Sequence, residues 1–146
     1  MIKKVIKQLE SFGYIINKEN DYLIAERDEI GEFIITEATT INFSYMYRTN
    51  GNGYLRIADY LKYLNNLNVS SLVTTFTSGE KGYLEFSAHY YGAYQIKTFS
   101  EFIRAWEYDI NQMLRNKETD IFFDREGSGN HLELNGNINP SFRAEA

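Results

Sequence analysis

The spacing of apolar residues changes several times along the chain, and each change predicts an element. Ile2, Val5, Ile6 and Leu9 fall at i, i+3, i+4 and i+7, the spacing of a helix with one buried stripe. Gly13 follows as a C-terminal stop, because glycine tolerates the positive φ that such ends adopt. Three extended runs come next, "YIIN", "DYLIAE" and "EFIITEATTINFSYMY", separated by the turn-like "NKEN" and "RDEIG". In the third run Ile41, Phe43, Tyr45 and Tyr47 alternate with Asn42, Ser44, Met46 and Arg48, the period of a half-buried strand. "TNGNG" then breaks the chain, and its Gly51 and Gly53 read as a turn rather than a phosphate loop.

Ile57, Leu61 and Leu64, widened by Tyr60, predict a second helix that runs into a cluster of asparagines, "YLKYLNNLN". Asn65 and Asn68 are assigned a structural role there. Asparagine at a helix end accepts the left-handed conformation, and a buried amide can bond neighbouring backbone and pin helix to sheet. "SLVTTF" and "YLEFSAHYYGAY", joined by "SGEKG", predict a hairpin. Leu84, Phe86, Ala88 and Tyr90 form one face of its second strand, and Glu85, Ser87, His89 and Tyr91 the other. "KTFSEFIRAWEYDINQML" predicts the last helix, with Thr98 or Ser100 as cap and Thr98 and Glu101 at capping-box spacing. Its apolar face is Phe102, Ile103, Trp106, Ile110, Met113 and Leu114.

These elements predict an α+β fold, a twisted antiparallel sheet flanked by helices in the order α-β-β-β-α-β-β-α, over residues 1–116. Residues 117–146 are polar and rich in Gly and Asn, and are expected to form a mobile tail. Its apolar islands "IFF" and "LEL" could dock as a short hairpin.

Composition narrows the function. At 146 residues the chain suits one domain, and 43% apolar residues exclude a disordered polymer. The net charge of −5 argues against a broad phosphate-binding surface, and Lys3, Lys4 and Lys7 read as the solvated face of the first helix. With no cysteine there is no disulfide frame, thiolate metal site or Cys nucleophile. No apolar run has signal-peptide or membrane-spanning length, so a cytoplasmic protein without membrane or nucleic-acid partners is expected.

Chemistry is sparse. His89 could be a general base oriented by a carboxylate, but as a lone histidine on the polar side of a strand it reads as surface. Asp120, Asp124, Glu126 and His131 are ligand types for hard or borderline metals, yet "DREGSGNHLE" lacks the alternating oxygens of a calcium loop. No cofactor, metal or catalytic residue is expected. The aromatic share of 16% is high, and Tyr83, Tyr90, Tyr91, Tyr94 and Trp106 gather in the hairpin and last helix. Alternation exposes Tyr83 and Tyr91. Together with Tyr94 they are the candidate partner-binding residues, since large amphipathic side chains anchor partners.

"YLKYLNNLNVSSLVTTFTSGEKGYLEFSAHYYGA" followed by "TFSEFIRAWEYDINQML" resembles the YbjN family of small bacterial proteins, in which an Asn-x-x-Asn helix end precedes a hairpin and a terminal helix. Asn65 and Asn68 stand at those positions. The resemblance implies the fold shared with type III secretion chaperones, often dimeric, and a non-enzymatic role in binding or regulating proteins. Two features depart from it: an aromatic "HYYGAYQIK" stands where the family has an acidic segment, and the tail after Asn116 has no counterpart.

The expected function is therefore recognition of another protein through a sheet edge or aromatic face, as a homodimer. Two rivals stand beside it. One is a small immunity or anti-defence protein whose acidic balance occludes a toxin or nuclease. The other is a metal-dependent hydrolase built from the tail carboxylates and His131.

Overall fold

The computed structural model describes residues 2–79 and 82–125. Helix α1 (Ile2–Ser11) ends as its sequence dictates. Gly13 adopts φ +92°, its N–H bonds the Glu10 carbonyl at 3.0 Å, and the Tyr14 N–H reaches back to Leu9 at 3.1 Å. This is the Schellman arrangement, and both Leu9 and Tyr14 are buried beneath it. Strands β1 (Ile15–Lys18), β2 (Leu23–Arg27), β3 (Gly31–Glu37) and β4 (Ile41–Tyr47) follow as an antiparallel meander. The long third run thus folds as two strands, one more than its alternation predicts. The chain reverses at Ala38–Thr40, where the Ala38 N–H bonds the Thr40 carbonyl at 3.0 Å. "TEATTI" holds no Gly, Pro, Asn or Asp to mark a turn, and the weaker strand formers Glu37 and Ala38 are its sole local sign, so pairing between its halves reveals the reversal.

A short helix α2 (Asn52–Leu55) leads into α3 (Ile57–Ser70). Gly51 and Gly53 therefore lie at a helix start, not in an open turn. A Cβ at Gly53 would sit 2.5 Å from the Thr49 hydroxyl, so no larger residue fits there without a shift. The buried residues of α3 are Tyr60, Tyr63, Leu64 and Leu67, whereas Ile57 and Leu61 are about half exposed. The helix is rolled relative to its predicted stripe.

The hairpin β5 (Thr75–Ser78) and β6 (Leu84–Tyr90) completes a six-stranded sheet in the order β1-β2-β3-β4-β6-β5. In β6 the buried residues are Leu84, Phe86, Ala88 and Tyr90, as the alternation predicts. Helix α4 (Ile96–Arg115) lies across this face. Its Trp106 is fully buried, with ring centroids 5.3 Å from Phe33, 5.5 Å from Phe43 and 5.6 Å from Phe86. Truncating such a ring costs about 3–5 kcal/mol. The predicted caps of α4 lie inside it instead, since the helix begins at Ile96 after Gln95. Thr98 shares a 2.6 Å hydrogen bond with the Tyr90 hydroxyl, fastening the first turn of α4 to β6.

The packed core continues past Asn116. Helix α5 (Thr119–Phe122) buries Phe122 and Phe123 against Tyr60 and Tyr63, so "IFF" docks as a helical turn rather than as a hairpin strand. "LEL" lies outside the described residues. Polar contacts lock the layers together. Glu107 of α4 accepts the Tyr14 hydroxyl at 2.6 Å and Arg27 Nη1 at 2.7 Å, and Arg27 also donates to the Phe12 carbonyl. Burial first, and the Glu107 hydrogen bond second, hold the Tyr14 phenol well above the usual tyrosine range.

Candidate docking surfaces

A sheet has two edge strands, and each presents unpaired peptide groups to any other extended chain. Here the edges differ. At the β5 edge the side chain of Asn68 faces Phe76: its Oδ1 accepts the Phe76 N–H at 2.7 Å, and its Nδ2 donates to the Phe76 carbonyl at 2.8 Å. The amide thus imitates the peptide of a neighbouring strand and occupies that position. Asn65 is exposed. The buried Asp109 of α4 collects the N–H groups of Leu72, Val73 and Thr74 at 2.8, 2.9 and 3.0 Å, clamping the loop that enters β5. At the other edge β1 carries no such cover among the described residues: Ile15, Asn17 and Lys18 are exposed, and Ile15 keeps 66% of its surface.

A second feature lies where α1 crosses the start of α4. A groove of about 520 Å³ is lined by Lys4, Lys7, Gln8 and Ser11 on one side and Tyr94, Gln95 and Ile96 on the other. Gln8 is buried, and its amide donates to the Ile96 carbonyl at 2.8 Å and the Ser100 hydroxyl at 2.6 Å while accepting the Tyr94 hydroxyl. Burial raises the Tyr94 phenol above its ordinary range.

The candidate tyrosines are scattered. Tyr91 is 74% exposed just past β6, Tyr94 is half-buried in the groove wall, and Tyr83 is half-buried before β6. Tyr90 and Trp106 belong to the core. His89 is exposed and bonds the Asn42 side-chain oxygen, which also accepts the Thr40 hydroxyl at 2.6 Å. Its neighbours are thus an amide and a hydroxyl rather than a carboxylate. Asp120 pairs with Arg125, and Asp124 lies 3.4 Å from the Asn50 amide. Among the described residues no three His, Cys, Asp or Glu side chains converge as a metal site. Glu126 and His131 lie outside those residues.

The solved structures contain the same architecture. The fold is similar to the crystal structure of YbjN from E. coli, described as a candidate transcription regulator, with a TM-score of 0.64 over 84% of this chain and 94% of that one. Identity is 18%, so the likeness is one of fold. No family model matches the sequence, and no curated protein does. Among the described residues no helix is long and apolar enough to cross a membrane.

Two features of these surfaces escape a pattern reading. Gln8 and Asp109 are polar residues on apolar helix faces, and that mismatch is the signal that they bond something specific. The groove has no local signal, because its walls are more than 80 residues apart in sequence.

Proposed function

We propose that this chain is a non-enzymatic protein-binding module that takes an extended segment of its partner onto β1. The observation that carries this reading is the inequality of the two edges: Asn68 caps β5, and among the described residues no side chain caps β1 in that way. Strand addition draws affinity from main-chain hydrogen bonds and selectivity from alternate side chains. Ile15, exposed at the start of β1, is the apolar contact on that edge. Tyr91 is the better aromatic anchor of the three candidates, with Tyr94 and Tyr83 contributing partial surfaces. The likeness to a described regulator agrees with control exerted through a protein partner. A second copy pairing β1 to β1 would compete for the same edge, so homodimer and partner complex would be alternative states.

The test is affinity capture from the native host with quantitative mass spectrometry, comparing the wild-type chain with Ile15→Lys. A charge on an edge strand opposes pairing without touching the core. The reading expects a specific co-purifying protein that is depleted in the variant. Equal recovery by both chains would place the contact elsewhere.

A further inference from the structure

We infer that the groove between α1 and the start of α4 docks an apolar side chain carried on an acidic segment of a partner protein. The inference rests on the protein-binding reading above and adds the chemistry of what is bound.

Three properties of the groove point to this occupant. First, its floor is already ordered. Gln8 is 8% exposed, and both ends of its amide are engaged, with Ile96 and Ser100 as acceptors and the Tyr94 hydroxyl as donor. The Tyr94 ring is held in turn against Phe99 at 5.5 Å. Preformed walls reduce the ordering cost of binding, and the volume of about 520 Å³ is that of an ordinary ligand pocket.

Second, the groove offers apolar surface to water. Ile96 is 71% exposed although it opens a 20-residue helix whose other apolar residues mostly turn inward. The methylene stems of Lys4 and Lys7 and the face of Tyr94 border it, and such stems cover apolar guests while their ammonium groups stay hydrated.

Third, the charged residues lining the groove are the cations Lys4 and Lys7, on a chain whose net charge is −5. An acidic segment is attracted to these two cations on a chain that is acidic in total, and such contrast selects a partner and its register. The start of α4, whose residue Gln95 makes no side-chain cap, adds the positive end of a long helix on the same side. A bare phosphate would use the charges and leave Ile96 and Tyr94 in water. An apolar anchor flanked by Asp or Glu uses both.

The experiment pans a random-peptide phage library against the full-length chain and measures the enriched sequences as labelled synthetic peptides by fluorescence anisotropy. The expected peptides have net negative charge around one apolar anchor. Their affinity should fall at least about tenfold in the Lys4→Glu/Lys7→Glu variant, and also on raising the salt concentration, because exposed charges are screened. Both lysines are exposed, so the variant's circular dichroism and melting temperature should match the wild type. Enrichment of neutral or basic peptides, no enrichment, or equal affinity in the double variant would overturn the inference. If Ile15→Lys abolishes peptide binding while the lysine variant does not, the peptide uses β1. The groove is then excluded while the protein-binding reading stands.

Discussion

Asp109 is a charged residue on an otherwise apolar helix face, and three backbone donors account for it. Leu72, Val73 and Thr74 leave α3 with N–H groups that no strand receives, and a single carboxylate accepts all three. An amide in its place has one acceptor oxygen and sets an N–H₂ against the remaining donors. Asp109→Asn should therefore cost about 2–3 kcal/mol in urea unfolding, the scale of hydrogen bonds to a charge plus a stranded buried donor. Two neighbouring tyrosines make a paired test. The Tyr63 hydroxyl shares a 2.6 Å bond with Thr119, whereas the buried Tyr60 hydroxyl has no partner among the described residues. Tyr63→Phe should lose about 1 kcal/mol in the same assay, and Tyr60→Phe should be neutral or stabilising. Little of this is legible in sequence. Asp109 lies three residues beyond Trp106, on the line of the buried stripe, and a pattern reading sees only an interruption. What it bonds depends on a loop more than 30 residues upstream.

At the scale of elements, α3 shows why a correct helix can be read with the wrong face inward. Ile57, Leu61 and Leu64 have helical spacing, and so have Tyr60, Tyr63, Leu64 and Leu67. Local propensity cannot choose between two stripes that share Tyr60 and Leu64. Phe122 and Phe123 choose, by packing on Tyr60 and Tyr63 from a segment whose composition suggests a solvated tail. Strand β6 and α4 are legible because their alternation and 3.6-residue period have no competing reading, whereas β5 begins at Thr75, four residues later than "SLVTTF" predicts, because Asp109 holds Leu72 to Thr74 as a loop. Asn68 joins helix to strand, and Asn68→Ala should cost about 1–2 kcal/mol by leaving the Phe76 N–H and carbonyl without a partner. Residue-resolved hydrogen exchange should find faster exchange at Phe76 in that variant, while the exposed Asn65→Ala stays within about 0.5 kcal/mol of wild type. The β2–β3 pairing adds a pH effect. Glu32 stands opposite Glu26, and burial first, then that like charge, raises its carboxyl above the ordinary value. A raised carboxyl pKa means that the folded state holds the proton more tightly. Stability from this group is therefore greatest in acid and declines as pH rises from the ordinary value through the folded one. Glu32→Gln should stabilise the fold at neutral pH by a few tenths of a kcal/mol, limited by solvent screening, and the gain should vanish below about pH 4. Melting curves at the two pH values decide it.

At the scale of the whole molecule, the class of fold follows from the order of patterns, but its surfaces do not. Which edge is free depends on where the amide of Asn68 lands. The groove depends on α1 and α4 meeting, an arrangement that no short stretch encodes. The same separation explains the scattered tyrosines: alternation exposes Tyr91 correctly, yet Tyr83 and Tyr94 lie beyond the strand and are half-buried, Tyr94 between Gln8 of α1 and Phe99 of α4. Tyr91→Ala should weaken partner binding several-fold while leaving the melting temperature nearly unchanged, because that ring is already in water. A large drop in melting temperature would assign it a packing role instead.

The most direct test of the account is site-specific photo-crosslinking in the native host, with the reactive residue placed in turn at Ile15, Asn17, Thr75 and Thr77. The account predicts one crosslinked partner from the two β1 positions and none from the two in β5, where Asn68 already holds the edge. Crosslinks from β5, or equal yields from both edges, would contradict it.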